Sequence, residues 1–267
     1  MRSTPWLSLL VIAFLGACRS SPPPAAQSDA GLTSAPGRLS AAATSPSLPQ
    51  GSVVRPTFDT AEGRISAGTA FFVSIPGQAG PLGLTAHHLF GTAGGFEREM
   101  SATELGQLVR AVYLSEIDPG DEEPLRAGPM VELPSAGHAR EAGDWSTDVA
   151  AFRAPASLSA RALRLAPRNA APGEDVWLVA EVLGGKSAGQ RLHRARVVHS
   201  RPTLLAYQFE DTTLELRATS GAPVVNAGGE VVGLHVSGGP EGDILWGNAH
   251  PVESVRAHLT RGLSAAK

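Results

Sequence analysis

Three short blocks decide the fold of this sequence, and the last of them is Ala218-Thr219-Ser220-Gly221-Ala222-Pro223. Upstream of it stand Leu84-Thr85-Ala86-His87-His88 and Asp148-Val149-Ala150-Ala151-Phe152. Each block joins small or apolar residues to one side chain that can take part in proton transfer. A serine hydroxyl is a poor nucleophile near neutral pH, so it must pass its proton to an imidazole that a carboxylate orients. The order His, Asp, Ser therefore indicates a candidate set for nucleophilic chemistry.

Short apolar runs, separated by turn residues, recur around these blocks from residue 66 to residue 247. Many strand-sized runs with little helical periodicity predict an all-β barrel or sandwich architecture. Two segments are typical of helices. Ser101-Ala102-Thr103-Glu104 has the spacing of a capping box, and the chain from Pro251 to about Leu263 repeats its apolar residues at helical spacing.

The composition excludes several classes of protein. The 267 residues are 42% apolar and 18% charged, with a net charge of -3, so we expect no nucleic-acid partner. The 30 glycines and 21 prolines, against 5% aromatic residues, favour a turn-rich β chain. The single cysteine excludes an internal disulfide and a cysteine-based zinc cluster, because both need at least two thiols.

That cysteine, Cys18, ends an export signal. Arg2 precedes an apolar run from Trp6 to Leu15, which is too short to span a membrane. The residues Leu15-Gly16-Ala17-Cys18 resemble the bacterial lipobox, which implies cleavage before Cys18 and a lipid on its thiol. We therefore expect residues 1–17 to be a signal peptide and Cys18 to anchor the chain to the cell envelope, at the outer membrane facing the periplasm or the cell surface. The alternative is an ordinary signal peptide beside an unmodified buried cysteine.

Residues 18–51 consist almost entirely of Ala, Ser, Pro, Gly and Thr. Such a segment has too few large apolar side chains to offset its conformational entropy by burial. We predict that it is a disordered tether and that the folded domain covers residues 52–262.

The three blocks resemble the signature of the chymotrypsin-like (trypsin-like) serine protease family, and the resemblance covers nearly all of the chain after the tether. It implies two perpendicular six-stranded β-barrels with a C-terminal helix and an active site between the barrels. It also implies a serine endopeptidase that cuts polypeptide substrates through an acyl-enzyme. We expect a monomer with no cofactor and no metal.

The resemblance also assigns a role to each reactive residue. His88 takes the place of the histidine in the family's L-T-A-A-H block and is the expected general base, with His87 in the preceding alanine position. Asp148 heads the strand that matches D-I-A-L and would orient the imidazole, whereas Asp144 lies too early for that strand. Ser220 is the expected nucleophile. The pair His87 and His88 does not belong to an HExxH helix, so it does not indicate a metal site.

The expected oxyanion hole departs from the family pattern. Its donors would be the backbone N–H groups of Ala218 and Ser220, and the family has glycine where this chain has Ala218 and Ala222. A strained alanine costs about 1–3 kcal/mol, and the loss of one donor slows catalysis roughly 10²- to 10³-fold. The alternative function is therefore a catalytically impaired protease-fold lipoprotein that binds a polypeptide partner. A third possibility is an envelope β-type lipoprotein with a chance triad.

The residues His235, Val236, Ser237 and Gly238 are the expected substrate-binding wall. In the family this strand lines the pocket for the residue before the scissile bond, and a histidine at this place occurs in the viral 3C-like branch and in glutamate-specific bacterial members. His235 therefore implies a preference for Glu or Gln, unless it is an ordinary core histidine. Against this, Glu215 near the expected pocket floor would repel an acidic side chain if it faced inward.

Overall fold

The computed structural model describes residues 44–116, 124–138, 143–187 and 189–265. The predicted signal peptide, Cys18 and most of the predicted tether lie outside the described residues. Within the described part, no helix has the length and apolar character needed to cross a membrane.

An antiparallel eight-stranded sheet forms the first half of the domain, with the path β6-β5-β1-β3-β4-β8-β7 and with β2 paired to β1. Gly128 and Pro129 are the only residues between β6 and β7, the two ends of this path, so the sheet curls until its edges approach each other. Its core is rich in phenylalanine and includes Phe58, Phe72 and Phe152. The strands are β1 (Val53–Thr60), β2 (Gly63–Ser66), β3 (Ala70–Val73), β4 (Leu82–Thr85), β5 (Val109–Glu116), β6 (Leu125–Ala127), β7 (Met130–Val131) and β8 (Ala150–Arg153).

The second half is a closed barrel of six strands in the order β10-β11-β14-β13-β12-β9. Its interior holds Leu178, Leu205 and Tyr207, all fully buried. The strands are β9 (Asp175–Val179), β10 (Leu192–Arg201), β11 (Leu204–Phe209), β12 (Pro223–Val225), β13 (Val231–Glu241) and β14 (Ile244–Pro251). The all-β, chymotrypsin-like double-barrel fold predicted from the sequence is therefore confirmed.

The first half nevertheless differs from the expected closed, six-stranded barrel, because its β6 and β7 ends do not pair. It has eight strands, because Gly63–Ser66 forms a hairpin with β1 and because the chain bends between β6 and β7. Pro129 has no N–H to donate to a neighbouring strand. Strands β6 and β7 are therefore consecutive in the chain but are not joined by hydrogen bonds between strands.

Both predicted helices are present. Helix α1 (Ala102–Leu108) begins with a complete capping box, in which the Ser101 hydroxyl accepts from the Glu104 N–H and the Glu104 carboxylate accepts from the Ser101 N–H at 2.7 Å. Helix α2 (Val252–Ala265) follows β14 directly and buries an apolar stripe on the domain. Short 3₁₀ helices cover His87–Phe90, Thr92–Gly94 and Ala156–Arg161.

The packed chain begins earlier than the predicted boundary at residue 52. Pro46 is buried, and Leu48 packs against the main hydrophobic cluster. Gly229 lies beneath Leu48, and a Cβ at that glycine would stand 3.1 Å from Leu48 Cδ2. Residues 44–51 therefore belong to the folded part, because Leu48 buries apolar surface against it.

Candidate active site

His88 and Asp148 meet because their strands are neighbours. His88 lies in the 3₁₀ helix that follows β4, and Asp148 lies just before β8. The two strands pair antiparallel with Thr85 opposite Ala150, so the residue after one and the residue before the other reach the same edge of the sheet. Asp148 is fully buried there, and His88 is 8% exposed.

Two hydrogen bonds join these residues, one from the His88 ring and one from its backbone. His88 Nδ1 lies 2.6 Å from Asp148 Oδ2, and Asp148 Oδ1 accepts from the His88 N–H at 2.9 Å. Burial alone would raise the pKa of Asp148, but the bonds and the charge of His88 hold that pKa below its ordinary value. The carboxylate therefore keeps the proton of the neutral ring on Nδ1 and leaves Nε2 free to accept one.

Asp144 does not contact His88 among the described hydrogen bonds and instead binds Ser146. Its Oδ1 accepts from the N–H of Ser146 at 2.9 Å and from the hydroxyl of the same residue at 2.6 Å. These bonds lower the pKa of Asp144 and close a local turn in the loop that leads to Asp148.

Ser220 lies in the loop between β11 and β12, and this loop docks on the first sheet. The Thr69 N–H donates to the Ser220 carbonyl at 2.8 Å, and the Thr69 hydroxyl donates to the Ala218 carbonyl at 2.8 Å. Gly221 has φ 87°, and a Cβ there would stand 2.2 Å from the Thr69 carbonyl and 2.5 Å from Thr85 Oγ1. Thr85 ends β4, so the Ser220 loop lies against the strand that leads into His88.

The Ser220 hydroxyl donates to the Val236 carbonyl at 3.3 Å, and the described residues include no hydrogen bond between this hydroxyl and His88. A bond this long is weak. In sites without substrate, the bond between nucleophile and base is often loose and tightens in the complex. The serine is half-buried, and its hydroxyl can rotate about χ1 once the weak bond to Val236 is released.

Ala218 adopts the left-handed conformation, with φ 61°, and is the one non-glycine residue with positive φ in the described part of the chain. The N–H groups of Thr219 and Gly221 are bonded to the carbonyls of Leu216 and His235. The N–H groups of Ala218 and Ser220 have no partner among the described residues. Two unpaired donors thus alternate with two paired ones around the serine.

A family comparison identifies this arrangement. Residues 68–234 match the family model described as the trypsin-like peptidase domain. The chain belongs to the trypsin-like peptidase family. As a member of this family, the chain falls in the class of the serine endopeptidases. No curated protein matches this chain significantly.

Several solved serine proteases share the fold of this trypsin-like peptidase. The serine endoprotease from Yersinia pestis has a TM-score of 0.52 at 15% identity, with 81% of this chain and 64% of that chain covered. A thermostable serine protease from an extremophilic microorganism has a TM-score of 0.51 at 16% identity, covering 78% of this chain and 94% of that one. The active form of a protease from M. tuberculosis has a TM-score of 0.50 at 19% identity, covering 80% and 82%. The chain spans about two thirds of the Yersinia protein's length.

His235 of this trypsin-like peptidase lies on β13 and is 1% exposed. Its Nδ1 lies 2.5 Å from the Tyr207 hydroxyl. Burial raises the pKa of Tyr207 well above its ordinary value, so the phenol keeps its proton and donates it to Nδ1. Burial, with the charge of His88 as a smaller cause, lowers the pKa of His235 to about 3. The neutral ring therefore carries its proton on Nε2.

Tyr207 was not among the residues predicted for the site. A single tyrosine within the apolar run Leu204–Phe209 has the pattern of a core residue. Only the closure of the barrel brings its side chain on β11 close to His235 on β13. Gly247 makes room for it, since a Cβ at that glycine would stand 2.3 Å from the Tyr207 ring.

The rest of the predicted wall lies along β13. The carbonyl of Val236 faces the Ser220 hydroxyl, and the Ser237 hydroxyl accepts from the Asn248 amide at 3.2 Å. A Cβ on Gly238 would stand 2.5 Å from Leu216 Cδ1, so this glycine allows β13 and the loop that carries Ser220 to approach each other.

Glu215, by contrast, is not directed at a pocket floor. Its carboxylate pairs with Arg217 at 2.8 Å, and its side chain is 52% exposed. The expectation that Glu215 would repel an acidic substrate side chain is therefore not supported by its position, because the charge is paired and lies in solvent.

His87 stands in an apolar environment. It is fully buried, neither ring nitrogen has a partner among the described residues, and burial lowers its pKa. Its ring packs edge-on against Phe90 at 6.4 Å between centroids. Within the described chain, no group of three or more His, Cys, Asp or Glu side chains is arranged to hold a metal ion.

Proposed function

We propose that this serine endopeptidase hydrolyses peptide bonds with Ser220 as nucleophile, His88 as general base and Asp148 as the group that orients the base. The double hydrogen bond between His88 and Asp148, with the Ser220 loop docked on the strand leading into His88, is the observation that carries the proposal. Ser220 Oγ attacks the carbonyl carbon while His88 Nε2 takes its proton. The imidazolium then gives that proton to the leaving amine, and water attacks the acyl-enzyme by the same route.

The backbone N–H groups of Ala218 and Ser220 are the proposed oxyanion hole. Both are unpaired, and the left-handed conformation of Ala218 is the one that glycine supplies at this place in the family. The loop holds Ala218 in this conformation although relaxation would relieve about 1–3 kcal/mol of strain. This supports an active enzyme over the catalytically impaired alternative.

Hydrolysis of an unfolded polypeptide tests the proposal. The purified protein is expected to release peptides, Ser220→Ala is expected to abolish the release, and Ser66→Ala, which removes a hydroxyl from an exposed position on β2, is expected to keep it. Equal residual activity in wild type and Ser220→Ala would contradict the proposal.

We further propose that the enzyme acts as a monomer anchored to the cell envelope by a lipid on Cys18. The lipobox pattern and the position of the only cysteine support this. Acyl chains contribute about 0.8 kcal/mol per buried CH₂, so two or more anchor a chain stably. Wild type is expected to sediment with membranes and Cys18→Ala to remain in the supernatant. An unmodified mature N-terminus by intact mass would contradict the anchor.

For the substrate, we propose that His235, Val236, Ser237 and Gly238 bind the residue before the scissile bond and favour Gln or Glu there. The Tyr207 bond supports this, because it leaves His235 with one fixed donor, Nε2–H. A neutral donor suits the carboxamide oxygen of Gln and gives no charge to hold Glu, so Gln is favoured over Glu. An apolar side chain would leave the buried donor unpaired, which costs about 1–3 kcal/mol.

A peptide-library cleavage profile tests this preference. We expect enrichment of Gln, and less strongly of Glu, with loss of the preference in His235→Ala. The conservative change Tyr207→Phe removes only the hydroxyl that fixes the tautomer, so it is expected to weaken the preference. Enrichment of Lys, Arg or large apolar residues would contradict the role of His235.

A further inference from the structure

Helix α2 holds the loop that carries Asp148. The carbonyl of Ser146, two residues before Asp148, accepts from His258 Nε2 at 2.7 Å and from the Ser254 hydroxyl at 2.9 Å. Both donors are on α2, one helical turn apart. A carbonyl oxygen has two lone pairs, so these two bonds fill its capacity.

The other ring nitrogen of His258 is also bonded, and this fixes the tautomer. His258 Nδ1 lies 2.8 Å from the Ser135 hydroxyl and 3.3 Å from Arg261 Nη2. Nε2 must donate to a carbonyl, and Nδ1 must accept because the Arg261 guanidinium can only donate, so the ring is neutral. His258 is 3% exposed, and burial lowers its pKa, which agrees with the neutral form. The imidazole therefore connects two segments of the first half of the domain, at Ser135 and at Ser146.

The backbone of α2 is pressed against the same half. A Cβ on Gly262 would stand 2.6 Å from the Glu132 carbonyl and 2.6 Å from Leu133 Cδ2. Glu132 and Leu133 directly follow β7. The helix leaves the second barrel at β14 and packs on the first sheet, so its position relative to Ser146 is fixed by close backbone contact.

Two backbone hydrogen bonds also hold the loop: the Trp145 N–H donates to the Thr203 carbonyl at 2.9 Å, and the Thr147 carbonyl accepts from the Gly137 N–H at 2.8 Å. Within the loop, Asp144 bonds Ser146, and the Asp148 N–H donates to the Trp145 carbonyl at a long 3.3 Å. His250 lies behind Asp148, fully buried, with neither ring nitrogen bonded among the described residues. The two α2 donors thus hold Ser146, which lies between the two residues anchored by these backbone bonds and two residues before Asp148.

We propose that His258 is a positioning residue for the reaction: through the Ser146 carbonyl it sets the place of Asp148 and, through Asp148, the orientation of His88. This rests on the proposed function. A shift of the carboxylate would change the 2.6 Å bond to His88 Nδ1 and turn the ring away from the serine. Among the described residues, His258 bonds to Ser135, Ser146 and Arg261, and none of these is on the β13 wall, so we expect the interaction to act on the chemical step and not on substrate binding.

Two substitutions separate the hydrogen bond from the volume of the ring. His258→Leu keeps the apolar volume and removes both bonds, whereas His258→Gln retains an N–H donor close to the position of Nε2. We expect His258→Leu to lower kcat roughly 10- to 10²-fold with KM unchanged, because small misplacement of catalytic groups costs this much. His258→Gln is expected to recover most of the loss. His199→Leu, an exposed histidine of β10, is the matched control and is expected to equal wild type.

A spectroscopic readout separates this proposal from the proposed function. The NMR resonance of the His88 Nδ1 proton reports the bond to Asp148 whether or not the enzyme turns over. It is expected to shift or broaden in His258→Leu and to return in His258→Gln. An inactive wild type with this resonance pattern would overturn the proposed function and support the positioning role. A folded His258→Leu with an unmoved resonance and wild-type kcat would overturn the positioning role.

If His258→Leu does not fold, Ser254→Ala provides the test. It removes the second donor to the same carbonyl without emptying a ring-sized space. We expect kcat to fall severalfold and the His88 resonance to shift in the same direction. A wild-type kcat and resonance in Ser254→Ala, together with an unfolded His258→Leu, would overturn the proposal.

Discussion

Ala218 shows at the scale of one residue how this loop differs from one built on glycine. Its φ of 61° places Cβ close to its own carbonyl oxygen, which costs about 1–2 kcal/mol. Glycine would avoid this strain but would lose about 0.5–1 kcal/mol through the greater freedom of the unfolded chain. The two effects nearly cancel, so the alanine is tolerated.

Substitutions at Ala218 therefore have a definite expected order. Ala218→Gly should keep kcat within about threefold of wild type and change the free energy of unfolding by no more than about 1 kcal/mol. Ala218→Val should lower both strongly, because a β-branched residue fits this conformation poorly. Urea unfolding and kcat measured side by side check this. A valine variant as active as wild type would mean that the loop does not hold this conformation in solution.

The two neighbouring aspartates differ in what they bind. Asp148→Asn should reduce kcat by roughly 10⁴-fold, because an amide can no longer hold the His88 ring in the Nδ1–H tautomer. Asp144→Asn should be mild, since its amide oxygen still accepts from Ser146. Steady-state kinetics on both variants, with circular dichroism as the folding control, decide the matter. The reverse order would show that the third member of the triad is Asp144.

At the scale of elements, the sequence predicted most where the signal is local. The capping box before α1 and the apolar spacing of α2 depend only on neighbouring residues, and both helices are present. The number of strands in the first sheet was not predictable. The bend at Pro129 depends on how the two ends of the sheet approach each other, and this is not a local property of the sequence. Likewise, the contact of His258 with Ser146 joins residues far apart in sequence.

In the active site, too, the features set by local sequence were predicted and those set by distant contacts were not. The strand neighbours β4 and β8 explain why His88 and Asp148 meet, and the local motifs had indicated both residues. The sequence could not decide between a strained and a relaxed Ala218, since the conformation of one residue depends on the docking of the whole loop on Thr69. It also missed Tyr207, whose partner is on another strand.

Helix α1 offers a test of an element away from the chemistry. Ser101→Ala should lower the free energy of unfolding by about 1 kcal/mol, because the N–H of Glu104 loses its acceptor. Ser101→Asp should keep most of the stability, and kcat should be unchanged in both. Thermal and urea unfolding measure the effect. An unaltered stability in Ser101→Ala would show that the capping box contributes nothing in solution.

At the scale of the whole molecule, the buried histidines dominate the response to acid. Burial lowers the pKa of His235 and of His250 to about 3, and lowers those of His87, His193 and His258 as well. In the unfolded chain a histidine titrates near 6.5, so between about pH 6.5 and pH 3 the unfolded state binds more protons than the folded one. Stability is therefore fully present above pH 6.5 and is lost as pH falls.

We accordingly expect Tm to fall steadily between pH 7 and pH 4, with each such group contributing at most about 1.4 kcal/mol per pH unit. His250→Leu should flatten the slope and raise stability at pH 7, because it removes two buried nitrogens that have no partner among the described residues. Calorimetric melts across this range provide the measurement. A Tm that stays constant or rises toward pH 4 would show that these rings are hydrated in solution.

The central claim is that Ser220 is a nucleophile activated by His88 and Asp148, and the most direct measurement is covalent labelling by a fluorophosphonate followed by peptide mapping. The account predicts one adduct per chain, located on Ser220, with labelling lost in Ser220→Ala, reduced strongly in His88→Ala and retained in Ser66→Ala. No adduct on the folded wild-type protein, or an adduct on another residue that persists in Ser220→Ala, would contradict it.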